Sequence, residues 1–186
     1  DKGEKLVVAG HPQLDFYLKN TKDEDKKYVI YAPHWTVCGE NLRYSTFDWS
    51  GYEILKFAQN HPEFDWVFKP HPCLYNFLYM SGYMTKQQAG EYYKNWEKIS
   101  KACYDGDYME LFKKSRILIT DCGSFLTEYL FTKQPCIHLV SKYFKPNENV
   151  EKICKTYYNA QNADEMKNLF DEVLINKNDY KKQDRL

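Results

Sequence analysis

The sequence lacks an excess of charge of either sign. Its 186 residues contain 26 Lys plus Arg and 26 Asp plus Glu, which gives a formal net charge of zero. Proteins that bind nucleic acids without sequence preference usually carry a basic excess. The balance argues against a general nucleic-acid binder, and we expect no nucleic-acid partner.

The chain also lacks the spacing patterns of metal sites and disulfide frameworks. None of its six cysteines forms a CxxC pair, and no Cys/His spacing matches a zinc site. Cys122, Cys136 and Cys154 lie in or beside apolar segments, which predicts reduced core cysteines of a cytosolic protein, with a disulfide or metal set as the alternative. We expect no metal cluster and no cofactor, and the sequence leaves a loosely held Mg²⁺ open.

Long apolar runs are missing as well. No segment is apolar over the length that crosses a bilayer, and the sequence shows no signal peptide. These features predict a cytoplasmic protein. Because the first residue is Asp1 rather than Met, we expect the chain to be a fragment of a longer protein.

What is present is the composition of a folded domain, with 43% apolar and 17% aromatic residues. We expect residues 1–186 to form a single domain, because this length suffices for one core. Strands alternate with helices, which is typical of an α/β fold with a Rossmann-like parallel sheet covered on both faces. The predicted strands lie near 6–9, 28–32, 66–69, 117–120 and 136–140, with a short extra strand at 157–158. The predicted helices lie near 13–18, 52–59, 86–102, 108–114, 126–131 and 163–173.

Two segments fit no core element of that sheet. Residues 33–49 predict a long loop after the second strand, and ordered loops at strand ends often carry function. The segment 74–100 is rich in Tyr and Trp. We interpret it as an inserted helical hairpin, over about 74–102.

Residues 116–140 predict a ligand-binding βαβ unit. A short apolar strand is followed by the turn from Asp121 to Ser124, a helix from Phe125, and a second strand after Pro135. In such sheets the turn at the carboxyl end of a strand faces the ligand crevice. The start of the following helix attracts anions, so the pattern predicts a nucleotide or phosphate here.

A second motif lies upstream, where the sequence WVFKPHP (66–72) combines a short strand with two prolines around one histidine. Each proline ring fixes its own φ and restricts the preceding residue, so His71 is held at a strand end. A histidine there can donate to a phosphoryl oxygen or act as a general acid on a leaving phosphate. Lys69 adds a positive charge nearby.

Taken together, four segments resemble the CDP-glycerol glycerophosphotransferase family, whose members build teichoic acids and related bacterial cell-surface polymers. The segments are YAPHW (31–35), FKPHP (68–72), ITDCGSFLTEYLF (119–131) and KQPCIHL (133–139). The resemblance covers nearly the whole chain. It corresponds to the carboxyl-terminal, donor-binding half of the family's two-domain GT-B fold.

The resemblance implies transfer of glycerol phosphate, or a related alditol phosphate, from a CDP-activated donor to an acceptor hydroxyl, with release of CMP. A polymer or lipid-linked acceptor would bind through an amino-terminal domain outside this chain, with peripheral contact at the inner face of the membrane. His71 is the expected catalytic residue. The expected donor nucleotide- and phosphate-binding residues are Ser124, Gly123, Asp121, His34, Glu128 and Lys69.

The chain departs from the family pattern at three places. Cys122 and Gly123 stand where the family often has Tyr-Ser, and Glu128 stands where many members have another acid. The arginine that often follows Pro33 is missing, or His34 replaces its charge. The donor's alditol, which is glycerol, ribitol or another polyol, therefore stays open.

Each candidate residue also has a purely structural interpretation. A packed strand-end histidine would explain His71, and a helix N-cap would explain Ser124. An acid bonded to its own turn would explain Asp121, while Glu128 and Lys69 would simply be solvated. His138 lies inside an apolar strand, so we expect a hydrogen-bonded core histidine there.

Two other functions stay open on the sequence alone. One is a different GT-B nucleotide-sugar glycosyltransferase, either sialyltransferase-like or specific for a UDP-sugar. The other is a non-catalytic nucleotide- or membrane-binding domain, for which an exposed Tyr/Trp-rich segment 74–100 would supply the contact surface.

Overall fold

The computed structural model describes residues 10, 12–18, 26–39, 43–100 and 108–186. The strands are β1 (Tyr28–Ala32), β2 (Asp65–Phe68), β3 (Ser115–Thr120), β4 (Cys136–Leu139) and β5 (Tyr158–Ala160). The helices are α1 (Asp15–Leu18), α2 (Phe47–Asn60), α3 (Leu74–Met80), α4 (Lys86–Glu97), α5 (Tyr108–Lys113), α6 (Gly123–Tyr129), α7 (Glu148–Lys155) and α8 (Ala163–Phe170). A π-helical turn, Asp171–Ile175, and 3-10 turns at Pro12–Leu14, Leu130–Thr132 and Gln183–Arg185 extend this set.

The five strands form one parallel sheet in the order β2-β1-β3-β4-β5. The chain adds β2 on one side of β1 and then crosses to add β3 on the other side. This is a topological switch point, and in open α/β sheets the ligand crevice lies at the carboxyl ends of the strands there. Because Ala32 pairs with Thr120, the loops that begin at Pro33 and Asp121 leave the sheet side by side.

Both faces of the sheet are covered by helices, as the continuous apolar strands predict. Val29 and Tyr31 point to a core formed with α2, α4 and α8, whereas Ile30 and Ala32 point to a core formed with α5, α6 and α7. The period of two along β1 thus divides its side chains between two buried layers. The predicted α/β fold class is confirmed.

Most predicted elements are found, with shifted ends. The extra strand covers Tyr158–Ala160 rather than 157–158, and α6 begins at Gly123 rather than at Phe125. Helix α2 begins at Phe47, which is buried at 1% exposure, so the loop after β1 is shorter than predicted. The expected strand at 6–9 lies outside the described residues.

Helix α7 was not predicted, although the sequence contains its signals. Asn147 caps it by accepting a hydrogen bond from the Val150 N–H at 3.0 Å. Lys152 pairs with Glu148 one turn earlier at 2.9 Å. Such i,i+4 pairs support helices on an exposed face.

The segment 74–100 does form two helices, α3 and α4, but the expectation of an exposed aromatic surface does not hold for Tyr92 and Trp96. Tyr92 and Trp96 are buried, and Trp96 stacks on Phe68 of β2 with ring centroids 4.8 Å apart. The Tyr92 hydroxyl donates to the Gly51 carbonyl at 3.0 Å. These aromatic side chains cover the edge strand of the sheet, which removes them from any membrane contact.

Among the helices that the structure describes, none is long and apolar enough to span a bilayer. The predicted burial of Cys122, Cys136 and Cys154 is confirmed, and all three are free thiols. His138 is a core histidine as predicted, with Nδ1 2.8 Å from the Asn159 Oδ1.

Candidate functional site

The Asp121 carboxylate fastens the loop after β1 to the end of β3. Its Oδ1 accepts from the His34 backbone N–H at 2.6 Å, and its Oδ2 accepts from the Thr46 N–H at 2.6 Å and the Ser45 hydroxyl at 3.1 Å. The Thr46 hydroxyl lies 3.0 Å from the same oxygen and 3.1 Å from the Ser50 hydroxyl. Asp121 is therefore enclosed by protein donors and orients the loop that carries His34.

Two opposing effects set the ionisation of Asp121. Burial raises the pKa of this carboxyl to about 6, while the hydrogen bonds from Thr46, His34 and Ser45 act to lower it. At neutral pH the group is ionised, which suits an acceptor surrounded by donors.

His34 and His71 lie next to each other at the ends of adjacent strands, with ring centroids 5.7 Å apart. The backbone N–H of His71 donates to the Pro33 carbonyl at 3.1 Å, which joins the loop after β2 to the loop after β1. Trp35 lies 5.8 Å from each imidazole ring. The sequence separates the two histidines, and the register of β1 and β2 brings them together.

Backbone N–H groups define the tautomer of both imidazoles. The Cys73 N–H donates to the His71 Nδ1 at 3.1 Å, and the Thr36 N–H donates to the His34 Nδ1 at 3.3 Å. A backbone N–H can only donate, so both contacts favour an Nδ1 acceptor with the proton of the neutral ring on Nε2. At His34 the Thr36 hydroxyl, 2.8 Å from Nδ1, then donates to the same nitrogen. Each histidine thus has an Nε2–H that these backbone contacts do not use.

Both rings are neutral at neutral pH in the free protein. Burial, together with the charge that His71 carries when it is protonated, lowers the pKa of His34 to about 4. Burial, together with the charge of Lys69, also lowers the pKa of His71. A general acid would need a protonated imidazole, so these shifts favour hydrogen-bond donation over proton transfer.

The turn at Ser124 differs from the N-cap interpretation. Helix α6 begins at Gly123, and its N-cap is Cys122, whose side chain makes no capping hydrogen bond. Ser124 therefore lies inside the first turn with an exposed side chain, its Oγ 3.3 Å from the Cys122 Sγ. A Cβ at Gly123 would lie 3.3 Å from the Phe144 ring, so this ring fills the space beside the turn.

Glu128 and Lys69 contact other residues of the protein, whereas their structural interpretation predicted solvated side chains. The Glu128 carboxylate accepts from the Tyr17 hydroxyl at 2.7 Å and the Tyr108 hydroxyl at 2.9 Å. Lys69 is 5% exposed rather than solvated, and its Nζ lies 5.7 Å from the centroid of the Tyr108 ring. Both side chains therefore contact Tyr108, Glu128 through its hydroxyl and Lys69 through its ring, and they pack beneath the loops of the site.

The structure thus places all seven candidate residues at or near the carboxyl ends of the parallel strands. They fall into two groups. His34, His71, Gly123 and Ser124 lie along the loops, whereas Asp121, Glu128 and Lys69 are bonded to or packed against other parts of the chain. The hydroxyl and amide partners of Asp121, in Ser45 and Thr46, were missed. They follow in the same loop, but no spacing in the sequence relates them to an acid 75 residues later.

Within the described part of the chain, no group of three or more His, Cys, Asp or Glu side chains could hold a metal ion. The polar groups of the site are instead hydrogen-bond donors: two imidazoles, one serine hydroxyl and the first N–H groups of α6. Such a set is suited to the oxygens of a phosphate.

Comparison with known families gives one match, described as CDP-Glycerol:Poly(glycerophosphate) glycerophosphotransferase, over residues 2–177. The chain belongs to this family. The resemblance of the four segments is therefore confirmed, and the family is one of transferases. Comparison with curated protein sequences gave no significant match.

Solved structures show the same fold. The UDP-GlcNAc 2-epimerase from Neisseria meningitidis matches 93% of this chain with a TM-score of 0.55 and 15% identity. The epimerase from Methanocaldococcus jannaschii matches 89% with a TM-score of 0.55 and 18% identity. The wall teichoic acid polymerase TagF matches 93% with a TM-score of 0.50 and 19% identity.

These matches cover 42%, 45% and 41% of the respective structures, so the family member described here spans less than half their length. At such identities the likeness concerns the fold. It confirms a Rossmann-like domain of the GT-B type.

Proposed function

We propose that this family member is the donor-binding part of an enzyme that transfers glycerol phosphate, or a related alditol phosphate, from a CDP-activated donor to an acceptor hydroxyl of a cell-surface polymer. Membership of the glycerophosphotransferase family supports the reaction class. The wall teichoic acid polymerase TagF shares the fold. We further propose a polymer or lipid-linked chain as the acceptor, with peripheral contact at the inner face of the membrane.

In the proposed reaction an acceptor hydroxyl oxygen attacks the phosphorus that carries the alditol. A new P–O bond forms, the P–O bond to the CMP phosphate breaks, and its electron pair leaves with CMP. The hydroxyl proton passes to a base. Cleavage of the donor's pyrophosphate drives the transfer, so we propose no cofactor besides the activated donor.

The observation that carries the proposal is the pairing of two neutral histidines at the switch point of the sheet. His34 and His71 each keep the proton on Nε2, and their rings are 5.7 Å apart. Hydrogen bonds from such donors stabilise the charge that develops on a leaving phosphate. CMP is a leaving group that is stable as an anion near neutral pH, so donation without proton transfer suffices.

The other residues have assigned roles in this proposal. Ser124 and the N–H groups of the turn at Gly123 donate to the same pyrophosphate. Asp121 positions His34 through the loop, and Lys69 adds positive charge beneath the phosphates. Glu128 positions Tyr17 and Tyr108 through their hydroxyls.

Calorimetry with CMP, CDP-glycerol and UMP tests the assignment. We expect the protein to bind CMP and CDP-glycerol and to bind UMP more weakly, because the proposed donor carries cytosine and UMP carries uracil. Equal affinity for CMP and UMP would point to a different nucleotide-sugar enzyme. Absence of binding by all three would overturn the proposal.

A further inference from the structure

A cavity lies between the loop after β2 and helices α3 and α4. Its volume is about 430 Å³, within the range of small-molecule sites. One wall consists of Pro70, His71 and Pro72, and the opposite wall consists of Tyr75, Gly90, Tyr93, Lys94 and Glu97. Neither the family match nor the candidate phosphate site accounts for this space.

His71 is the link between the cavity and the proposed phosphate site. Its ring lines the cavity and also lies beside His34. A molecule in the cavity would therefore contact the same imidazole as the donor phosphates. The position of the cavity suits either the alditol attached to the reacting phosphorus or the acceptor hydroxyl that attacks it.

The lining of the cavity is suited to a polyol carrying a phosphate. The Tyr75 and Tyr93 rings meet edge to face with centroids 5.0 Å apart and offer apolar surface together with phenolic oxygens. Lys94 and Glu97 add one cation and one carboxylate at the exposed rim. The C–H groups of an alditol can pack on the rings, its hydroxyls can pair with the Tyr75 phenol, and its phosphate can pair with the Lys94 ammonium.

We propose that this α3–α4 cavity binds an alditol phosphate unit during transfer. The inference rests on the proposed function, and two sources share the chemistry: the alditol of the CDP-activated donor and the terminal unit of the acceptor chain. The pyrophosphate bound by His34, His71 and Ser124 joins the alditol to cytidine. The donor's alditol, or the terminal unit of the acceptor chain with its attacking hydroxyl, can bind in the cavity beside His71.

Gly90 allows the cavity to be filled without disturbing the fold. A Cβ at this position would meet only the Tyr75 hydroxyl, at 3.8 Å. Gly90 lies inside α4, where alanine and leucine are better helix formers than glycine. Gly90→Leu should therefore fold and extend its side chain into the cavity, while Gly90→Ala is the matched control with the same backbone change.

The experiment compares wild type, Gly90→Ala and Gly90→Leu in the full-length protein. Affinities for CMP and CDP-glycerol and the KM for a synthetic glycerol phosphate oligomer are measured. If the donor's alditol occupies the cavity, Gly90→Leu weakens CDP-glycerol binding about tenfold and leaves CMP binding within about twofold. If the acceptor occupies it, the oligomer's KM rises about tenfold with both nucleotide affinities unchanged.

The cavity proposal is overturned if Gly90→Leu is folded and all three constants stay within about twofold of those of Gly90→Ala. A second variant, Lys94→Gln, removes a surface charge at the rim and keeps the test independent of the leucine. It should weaken the same ligand as Gly90→Leu, and an equal loss for CMP would contradict the assignment. Failure of the wild-type protein to bind any cytidine nucleotide would instead overturn the proposed function itself.

Discussion

The candidate site has a more buried part, here called the floor (Asp121 and Glu128), and a more open part, here called the rim (His71 and Ser124). The two parts use their polar groups in opposite ways. On the floor, Asp121 accepts hydrogen bonds from a neighbouring loop and Glu128 accepts from two tyrosines. On the rim, His71 and Ser124 have polar atoms that these networks do not use. Substitutions on the floor should therefore lower stability first, and substitutions on the rim should lower binding or turnover first.

The largest effect is expected at the rim, from His71→Ala. Loss of one positioned donor to a developing phosphate charge should lower turnover by roughly 10²–10³-fold, with little change in melting temperature. Steady-state kinetics and thermal unfolding of the full-length protein measure the two effects. His61→Ala, which removes an imidazole paired with Glu63 on the surface, is the control with near-normal turnover. A lower melting temperature with normal turnover of the folded fraction would make His71 a structural residue.

On the floor, Asp121→Asn should cost about 1–3 kcal/mol of unfolding free energy. The amide nitrogen would face backbone N–H groups that now donate to the carboxylate, so at least one donor is left unpaired in a buried position. Urea denaturation measures the loss. Because the same hydrogen bonds position His34, donor affinity should fall too. Unchanged stability would show that the loop is fixed by other contacts.

Ser124 permits a sharper comparison, because aspartate and alanine separate folding from binding. Asp is favourable in the first turn of a helix, so Ser124→Asp should be at least as stable as Ser124→Ala. Its carboxylate would repel the pyrophosphate, so it should bind CDP-glycerol about tenfold more weakly than the alanine variant. Donor titrations on both variants decide. If Ser124→Asp binds CDP-glycerol with wild-type affinity, the phosphate does not bind at this turn.

The smallest effect is expected for Glu128→Gln. The amide oxygen can still accept from one tyrosine hydroxyl, and the amide nitrogen can donate to the other. The loss should be about 1 kcal/mol of unfolding free energy, with CDP-glycerol affinity unchanged. A clear loss of affinity at unchanged stability would instead place a ribose or alditol hydroxyl on this carboxylate.

The floor and the rim also differ in how far the sequence predicts them. His71 and Ser124 follow short apolar strands within recognisable local patterns, and the order of the elements predicts that strand ends meet at one edge. The network of Asp121 depends on a contact between β3 and a loop 75 residues earlier, which local patterns do not encode. The tautomers of His34 and His71 likewise depend on which backbone N–H points at Nδ1.

Burial is where prediction from the sequence was weakest. Trp96 and Tyr92 occupy a polar helix whose sequence resembles a surface element, yet they cover the edge strand β2. Lys69 looks like a solvated lysine at a strand end but is buried beside Tyr108. In each case the deciding neighbour comes from a distant part of the chain, so residue type alone misleads.

The central claim is that His34 and His71 present neutral Nε2–H groups to the donor's phosphates. Histidine side-chain NMR during titration with CMP tests it directly, with other histidines of the same chain as controls. At pH 7 we expect the Nε2–H tautomer for both rings. Because its pKa is lowered to about 4, His34 should stay neutral as the pH falls through 6.

Added CMP should shift the His34 and His71 signals and leave those of His61 and His138 in place. The low pKa of His34 also means that this residue binds fewer protons in the folded protein than in the unfolded chain between about pH 4 and 6.5, a contribution to stability that rises with pH. The raised pKa of Asp121, about 6, contributes in the opposite direction below about pH 6, so the net rise in stability should be confined mainly to about pH 6 to 6.5. Unmoved His34 and His71 signals at saturating CMP would contradict the account.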